Sequence, residues 1–323
     1  MKKQLYPLKF TPILKEKVWG GNKLSQLFNK ENLDSIGESW EISGVDENIS
    51  IVCNGELKGT TLNKLIDKFK GKLIGDKVYQ EFGDTFPLLF KFIDAKEDLS
   101  VQLHPNDTLA KERHQSFGKT EMWYILDSEE DARLILGFNS EMNETTYKNH
   151  LDNNTLTEIL HSEKVAKGDS YFIAPGTIHA IGSGVVLAEI QQTSDITYRI
   201  YDWDRPGIDG KLRELHNDLA FDAINFEPND AKLAYVEQTN EPIQLCKSPY
   251  FITNKLVLTE KIKRDISKFD SFVVYMCVEG EAIIKSKGHS EKIVKGETIL
   301  IPSAIKKLRI NTNQATFLEV YMP

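Results

Sequence analysis

Short runs in which apolar and polar residues alternate dominate the chain, and Gly, Pro, Asn or Asp bounds most of them. Alternation with a period of two is typical of a strand whose two faces meet different surroundings. In residues 119–126, one face would carry Glu121, Trp123 and Ile125, and the intervening residues would face the opposite way. The pattern predicts a mainly β protein built from many short strands.

Helical periodicity is confined to a few places. Apolar residues three and four positions apart predict helical segments over about 60–82, 143–165 and 212–225. The stretch 227–241 is polar and contains a proline, which makes it the best candidate for a linker. We therefore expect two domains, 1–230 and 231–323, in this chain of 323 residues.

A weak internal repeat indicates the architecture of these domains. Residues 168–181 (GDSYFIAPGTIHAI) and 296–310 (GETILIPSAIKKLRI) each run from Gly and an acidic residue through a strand and a Pro into a second strand. Such a unit, present twice, predicts two jelly-roll barrels of the cupin type. His179 in the first copy corresponds to Lys307 in the second, so we expect a metal in the first barrel alone.

Composition and charge narrow the possible functions. Hydrophobic residues make up 40% of the chain and charged residues 27%, with a net charge of −8, so a nucleic-acid partner is not expected. Cys53, Cys246 and Cys277 are too far apart for a cysteine zinc motif or a disulfide framework. The longest apolar run, FVVYMCV at 272–278, is too short for a membrane span, and the N-terminus lacks the apolar core of a signal peptide. A cytoplasmic protein with no membrane partner is expected.

Four polar side chains on three predicted strands could converge in the mouth of the first barrel. Gln102 and His104 share one strand face, Glu121 lies among apolar neighbours, and His179 follows a Pro-Gly turn. An amide, two imidazoles and a carboxylate suit zinc or a similar divalent cation. Each histidine could instead be a hydrogen-bonded structural residue, and the spacing alone leaves both interpretations open.

Arg199 stands in the middle of another predicted strand, within residues 189–205 (EIQQTSDITYRIYDWDR). Alternation puts it on one face with Thr197, Tyr201 and Trp203. A buried arginine normally has a partner. That partner could be a nearby aspartate in an ordinary ion pair, or the arginine could face the metal site and stabilise an anion. The aspartates within reach are Asp195, Asp202 and Asp204.

Seven segments together resemble one family, the type I mannose-6-phosphate isomerases in their short bacterial form. They occur in the family's order between Trp19 and Asn225, and as a set they are highly specific, whereas the last part of the chain resembles the family only as a generic second barrel. The segments are KVWGG (17–21), GESWEIS (37–43), PLLFKFIDA (87–95), LSVQLHPND (99–107), GKTEMWYIL (118–126), APGTIHAI (174–181) and EIQQTSDITYRIYDWDR (189–205).

The resemblance implies an enzyme that interconverts mannose 6-phosphate and fructose 6-phosphate through an enediol or enediolate, with one zinc ion per chain and a small sugar phosphate as partner. Arg199 matches the family's catalytic arginine, and Lys119 matches a lysine near the substrate that is one candidate for the proton-transferring group. The implied zinc ligands are Gln102, His104, Glu121 and His179. The implied substrate-binding residues are Trp19, Lys91, Glu189 and Asp195.

Two other functions stay open, together with the state of assembly. Another cupin metalloenzyme, such as an oxygenase or an isomerase of different specificity, would usually show three histidines and a glutamate around its metal. A non-catalytic sensor of sugar phosphates would have lost Arg199 or a metal ligand. We expect a monomer or a weak homodimer. The chain is shorter than the eukaryotic members of the family, and that difference affects any lid and the phosphate pocket.

Overall fold

A computed structural model describes residues 4–28, 30–31, 35–228 and 230–323. Within these residues the chain forms nineteen strands and seven α-helices, which confirms the mainly β fold. The strands are β1 (Ile13–Gly21), β2 (Ile36–Ile42), β3 (Leu88–Ala95), β4 (Val101–Leu103), β5 (Glu121–Ser128), β6 (Arg133–Phe138), β7 (Leu160–Lys164), β8 (Ser170–Ile173), β9 (His179–Ile181), β10 (Val185–Gln192), β11 (Tyr198–Tyr201), β12 (Pro242–Lys247), β13 (Ile252–Leu258), β14 (Ile262–Asp265), β15 (Val273–Ser286), β16 (His289–Val294), β17 (Thr298–Ile301), β18 (Lys307–Asn311) and β19 (Ala315–Tyr321).

The helices are short, and none of those in the described part of the chain is long and apolar enough to cross a membrane. Two single 3-10 turns accompany them, at Gly55–Leu57 and Leu156–Ile159. The helices are α1 (Lys23–Phe28), α2 (Leu62–Phe69), α3 (Gly71–Ile74), α4 (Asp76–Phe82), α5 (Asp107–His114), α6 (Glu144–Asp152) and α7 (Asn217–Phe221).

Two antiparallel sheets build the first barrel. One has the strand order β1-β2-β3-β10-β5-β8, and the other has the order β11-β4-β9-β6-β7. Their inner faces share one apolar cluster, to which Trp123 and Ile125 contribute from the first sheet and Leu134 and Ile181 from the second. The barrel interior therefore holds the face of β5 on which the sequence predicted Glu121.

The first sheet is buried on both faces, because its outer face packs against the second barrel. Met122, Tyr124 and Leu126 of β5 belong to a cluster that also contains Val274 and Leu318 of that barrel. All eight residues of β3 and all eight of β10 are consequently buried. The charged side chains of β3 and β10 are thus enclosed in protein.

The third sheet forms the second barrel, with the order β12-β13-β19-β15-β18-β14 and with β16 and β17 also paired to β15. The sequence repeat corresponds to β8 with β9 in the first barrel and to β17 with β18 in the second, consistent with two cupin-like units. Gly168 and Gly296 precede the repeated strands at φ values of +98° and +83°, which glycine adopts without strain.

The two repeat copies differ in which way their last strand faces. His179 is buried inside the first barrel, whereas Lys307 is exposed and Leu308 takes the inward position of β18. His179 and Lys307 correspond in the sequence repeat, but their side chains point in different directions, one into its barrel and the other to solvent. At this position the second barrel fills its interior with apolar residues instead.

Some predicted elements differ from those observed. The stretch 143–165 is helical only in α6 and the following 3-10 turn, because residues 160–164 pair as β7 with the edge of β6. The stretch 212–225 is helical only in α7. The predicted linker is held along β8, where Phe172 N donates to Ala231 O at 2.8 Å and Leu233 N to Ser170 O at 2.8 Å. The domain boundary at residue 230 stays a prediction.

A buried ion pair lies in the second barrel. The carboxylate of Glu319 accepts hydrogen bonds from Arg264 Nε at 2.7 Å and Nη2 at 2.6 Å, from the Tyr275 hydroxyl at 2.7 Å and from Asn254 Nδ2 at 3.0 Å. Burial by itself raises the pKa of Glu319, but the Arg264 guanidinium and the other donors lower it below the usual value of 4.5. The network is complete only when Glu319 is ionised.

We expect Glu319→Gln to lower the free energy of unfolding by about 3–5 kcal/mol at pH 7, because it leaves the Arg264 charge without its partner. A depressed folded-state pKa stabilises the protein above the unfolded pKa, and this contribution is lost as the pH falls through the folded value. The difference in urea unfolding between wild type and variant should thus shrink in acid. Lys307→Ala, at an exposed ion pair, is the control and should leave the urea midpoint unchanged.

Candidate active site

Three buried side chains meet inside the first barrel, close to its mouth. His104 directly follows β4, His179 begins β9 in the same sheet, and Glu121 begins β5 in the opposite sheet. Glu121 Oε1 lies 3.4 Å from His104 Nε2, and Glu121 Oε2 lies 3.8 Å from His179 Nε2. One ligand atom of each residue lies within 4.8 Å of the others, so the three could hold one metal ion.

Both imidazoles are turned so that Nε2 faces the centre of this cluster. His104 Nδ1 lies 2.8 Å from the Ile196 carbonyl oxygen, and His179 Nδ1 lies 2.8 Å from the Thr177 carbonyl oxygen. A carbonyl can only accept, so Nδ1 carries the proton and Nε2 offers a lone pair, as in metal-binding histidines. Burial, reinforced by Lys119, lowers the pKa of His104 to about 4, and burial also lowers the pKa of His179. Both rings are therefore neutral at pH 7.

The carboxylate of Glu121 is ionised although it is buried. Burial favours its neutral form, but the Lys119 ammonium holds the pKa of Glu121 well below its usual range. Lys119 Nζ lies 2.8 Å from Glu121 Oε1 and 3.2 Å from His104 Nε2. Within the described residues, neither Glu121 oxygen nor His179 Nε2 has a hydrogen bond of good geometry. Buried atoms of this kind fit a divalent cation.

A cavity beside this cluster is lined by His179, Lys119 and Gln102, among others. Gln102 is the cross-strand neighbour of His179 in the second sheet. Its Oε1 accepts a hydrogen bond from the Ser100 hydroxyl at 3.1 Å. Arg199 is its other cross-strand neighbour. The side chain is thus close enough to the cluster to be considered as a fourth ligand, and that role stays a prediction.

Arg199 faces the cavity, and within the part of the chain that the structure describes it forms no ion pair with a carboxylate. Its Nη1 donates to the Glu214 carbonyl oxygen at 2.9 Å, and its Nε has no hydrogen-bond partner among the described residues. Burial, together with nearby Arg213, lowers the pKa of the guanidinium, which nevertheless stays charged. Asp202 is taken by Arg213, whose Nε lies 2.6 Å away, so the alternative of an Arg199–Asp202 ion pair is not observed.

Lys91 and Glu189 form a buried ion pair on the inner face of the first sheet, with 2.8 Å between Nζ and Oε1. The other oxygen of Glu189 accepts from Trp123 Nε1 at 2.8 Å. Burial disfavours the charged form of Lys91, but Glu189 and Glu38 together raise its pKa. Burial also opposes ionisation of Glu38, yet Lys91 and Lys17 lower the pKa of Glu38 to about 2. This wall of the cavity is therefore fully ionised.

The remaining predicted residues also line the cavity, Trp19 as a buried wall and Asp195 at the exposed rim. Sequence reasoning missed several other lining residues. Glu38 and Trp40 share a strand face in GESWEIS, and this alternation could have identified them as residues that face the barrel interior. The other missed residues have no local sequence signal that would identify them as cavity residues. The missed residues are Lys17, Glu38, Trp40, Ser100, Thr197 and Arg213.

The cavity is basic although the chain is acidic. Five basic side chains and three acidic ones line it, in a protein with a net charge of −8. The basic residues are Lys17, Lys91, Lys119, Arg199 and Arg213. A small anionic molecule can be held here beside the His–Glu–His cluster, with cations placed to compensate its charge.

The fold and the site define a protein of the cupin type with a His–Glu–His cluster and a basic cavity in one barrel. Two family models match: "Phosphomannose isomerase type I, catalytic domain" over residues 7–132, and "Mannose-6-phosphate isomerase, cupin domain" over residues 242–322. The chain belongs to the type I mannose-6-phosphate isomerase family. It is an aldose–ketose isomerase of mannose 6-phosphate.

Similar proteins cover nearly the whole chain. Mannose-6-phosphate isomerase ManA of Bacillus subtilis is 36% identical over 310 residues, which are 94% of this chain and 95% of the relative. Mannose-6-phosphate isomerase of Streptococcus mutans is 32% identical, covering 93% of both chains. A crystal structure of the mannose 6-phosphate isomerase from Bacillus subtilis superposes with a TM-score of 0.87 at 31% identity, covering 99% of this chain and 100% of that one. The resemblance noted in the sequence is thereby confirmed.

If the cluster holds a metal, His104→Ala and His179→Ala should each lose most of the bound ion. Few protein ligands are available, and affinity depends on their number and geometry. Elemental analysis of the purified variants measures the loss. His161→Ala is a matched control, since His161 is exposed on β7, outside the cavity, and should keep the wild-type metal content. Full metal occupancy in folded His104→Ala would contradict the assignment.

Proposed function

We propose that this enzyme depends on zinc and interconverts mannose 6-phosphate and fructose 6-phosphate through an enediol or enediolate intermediate. The observation that carries the proposal is the buried His–Glu–His cluster, with both Nε2 lone pairs turned toward an ionised carboxylate. The unpaired guanidinium of Arg199 opens into the same cavity. Together they provide what an intermediate with negative charge on oxygen needs.

The donor set supports zinc. Two neutral imidazoles and a carboxylate are typical of catalytic zinc sites, with further positions open to water or substrate. His104, Glu121 and His179 would hold the ion, with Gln102 as a fourth ligand. When bound, zinc supplies a Lewis acid near the reacting sugar oxygens.

Arg199 would stabilise the charge that develops during the reaction. Moving a proton between the first two sugar carbons leaves negative charge on an adjacent oxygen. A guanidinium already held by the Glu214 carbonyl needs no reorganisation to meet that charge, and such preorganised donors contribute roughly 3–4 kcal/mol in other enzymes. Since Nε has no protein partner, hydrogen-bonding capacity is left for the substrate.

Lys119 is the group we assign to proton transfer. Glu189 is committed to Lys91 and Trp123, and Asp195 lies at the exposed rim. Lys119 instead lies within the cluster, beside Glu121 and His104. As an amine it can accept a proton from carbon, and as an ammonium it can return one to the neighbouring carbon.

Lys91, Glu189, Trp19 and Asp195 would bind and orient the substrate. The Lys91–Glu189 pair presents fixed charges on the first sheet, and paired charges of this kind can hold sugar hydroxyls by donating and accepting hydrogen bonds. Trp19 adds a buried aromatic wall, and Asp195 can accept from a hydroxyl at the rim. Small-molecule sugar phosphate is the partner that this set of charges fits.

A chelator experiment tests the zinc dependence. Dialysis against a chelator should abolish the isomerisation of mannose 6-phosphate, and one equivalent of zinc per chain should restore it. The assay couples fructose 6-phosphate formation to a downstream enzyme, with the coupling enzyme checked separately for its own metal requirement. Full turnover by protein shown to be metal-free would overturn this part of the proposal, and rescue by iron but not by zinc would assign a different ion.

Arg199→Ala is expected to keep metal and fold but to lower kcat by about two to three orders of magnitude, since it removes a donor used in the transition state. KM should change much less. Arg199→Lys should rescue poorly, because a point charge cannot replace a planar guanidinium with several donors. Steady-state kinetics, metal content and Tm measured on each variant separate these effects.

The matched control is Arg309→Ala, an exposed arginine of the second barrel, which should retain wild-type kcat and KM. An Arg199 variant with raised KM and unchanged kcat would assign the residue to phosphate binding. A lowered Tm with kcat kept in the folded fraction would make it structural. Either result would contradict a role of Arg199 in stabilising the intermediate.

A further inference from the structure

Two chain segments that carry cluster residues are fastened together behind the cavity. Asp107 follows His104 by three residues, and Gly118 precedes Glu121 by three. Asp107 Oδ1 accepts a hydrogen bond from Gly118 N at 2.8 Å. A Cβ on Gly118 would lie 2.6 Å from the Asp107 nitrogen, so only glycine permits this close approach.

Gln192, at the end of β10, extends the same connection toward Glu121. Its Nε2 donates to Asp107 Oδ1 at 3.0 Å, and its Oε1 accepts from Thr120 N at 2.9 Å. Its backbone nitrogen also donates to the Thr120 carbonyl oxygen at 3.2 Å. The backbone on both sides of Lys119 is thereby fixed by a single carboxylate and a single amide.

The other oxygen of Asp107 is held from the second barrel. Tyr250 lies in the turn between β12 and β13, 143 residues further along the chain, and its hydroxyl donates to Asp107 Oδ2. A chain of hydrogen bonds therefore connects Tyr250 of the second barrel, through Asp107, to the segment that carries Lys119 and Glu121. Gln192 and Thr120 are buried, which protects the hydrogen bond between them from water, whereas Asp107 and Tyr250 are half-buried.

We propose that Tyr250 and Asp107 are positioning residues for the reaction, through which the second barrel fixes Lys119 and Glu121. The inference concerns the alignment of these two side chains, and its metal readout rests on the proposed zinc site. It gives the second barrel a part in turnover although that barrel lies outside the cavity.

Tyr250→Phe tests the proposal because it removes the hydroxyl alone. We expect kcat to fall about fivefold with KM within about twofold, and zinc binding to become several-fold weaker, since groups behind metal ligands affect affinity and activity. Zinc affinity is measured by competition with a chromophoric chelator. Tyr275→Phe is the matched control. It removes a buried hydrogen bond from a tyrosine hydroxyl to a carboxylate, that of Glu319, in the same barrel but outside the cavity. It should lower Tm and leave kcat unchanged.

A conservative change at Asp107 and a double variant complete the test. Asp107→Asn keeps the acceptor for Gly118 and lets the tyrosine hydroxyl accept instead of donate, so it should retain more turnover than Asp107→Ala. Tyr250→Phe should cost less in the Asp107→Ala background than alone, as expected for coupled residues. Wild-type kcat and zinc affinity in Tyr250→Phe, or additive effects in the double variant, would overturn the proposal. If zinc proves irrelevant to wild-type turnover, the kcat comparison still decides it.

Discussion

The enclosure of the first sheet on both faces is the constraint on which the rest of the molecule depends. The second barrel covers the outer face of this sheet, and the second sheet covers its inner face. Lys91, Glu121 and Glu189 on the inner face are therefore removed from water and need a counter-charge nearby. Lys91 pairs with Glu189 on the neighbouring strand, and Glu121 pairs with Lys119, two residues before it on the same segment. The cavity is charged because the fold encloses these side chains between the two sheets of the barrel.

The same enclosure sets the protonation states that the chemistry needs. Burial keeps His104 neutral, while the nearby ammonium keeps Glu121 ionised. Both residues therefore offer a free lone pair at the same pH. Arg199 differs from Lys91 and Lys119, since it lies at the half-buried edge of the cavity and forms no ion pair with a carboxylate among the described residues. A half-buried charge kept without a counter-charge is costly, and such costs are concentrated at functional sites.

The sequence predicted the parts of this design that are encoded locally. Alternation in 119–126 assigned Glu121 to the inner face of β5, and the repeat predicted two barrels. Contacts between distant segments have no such local signature. The short strand β7 was missed because its pairing with β6, rather than its own polar sequence, makes it a strand. Lys17 was missed because its role depends on Glu38, which is a neighbour only once β1 and β2 have paired.

The second barrel shows that the same framework can be filled largely by apolar residues. Its strand β18 turns Leu308 and Ile310 inward, where β9 of the first barrel turns His179 inward. The buried carboxylate of Glu319 is hydrogen-bonded by Arg264, Tyr275 and Asn254. The two barrels thus differ in their interiors, since one keeps an open and charged cavity while the other encloses a hydrogen-bonded carboxylate among apolar residues. The filled barrel supports the open one by burying the outer face of the sheet from which Glu121 and Lys91 project.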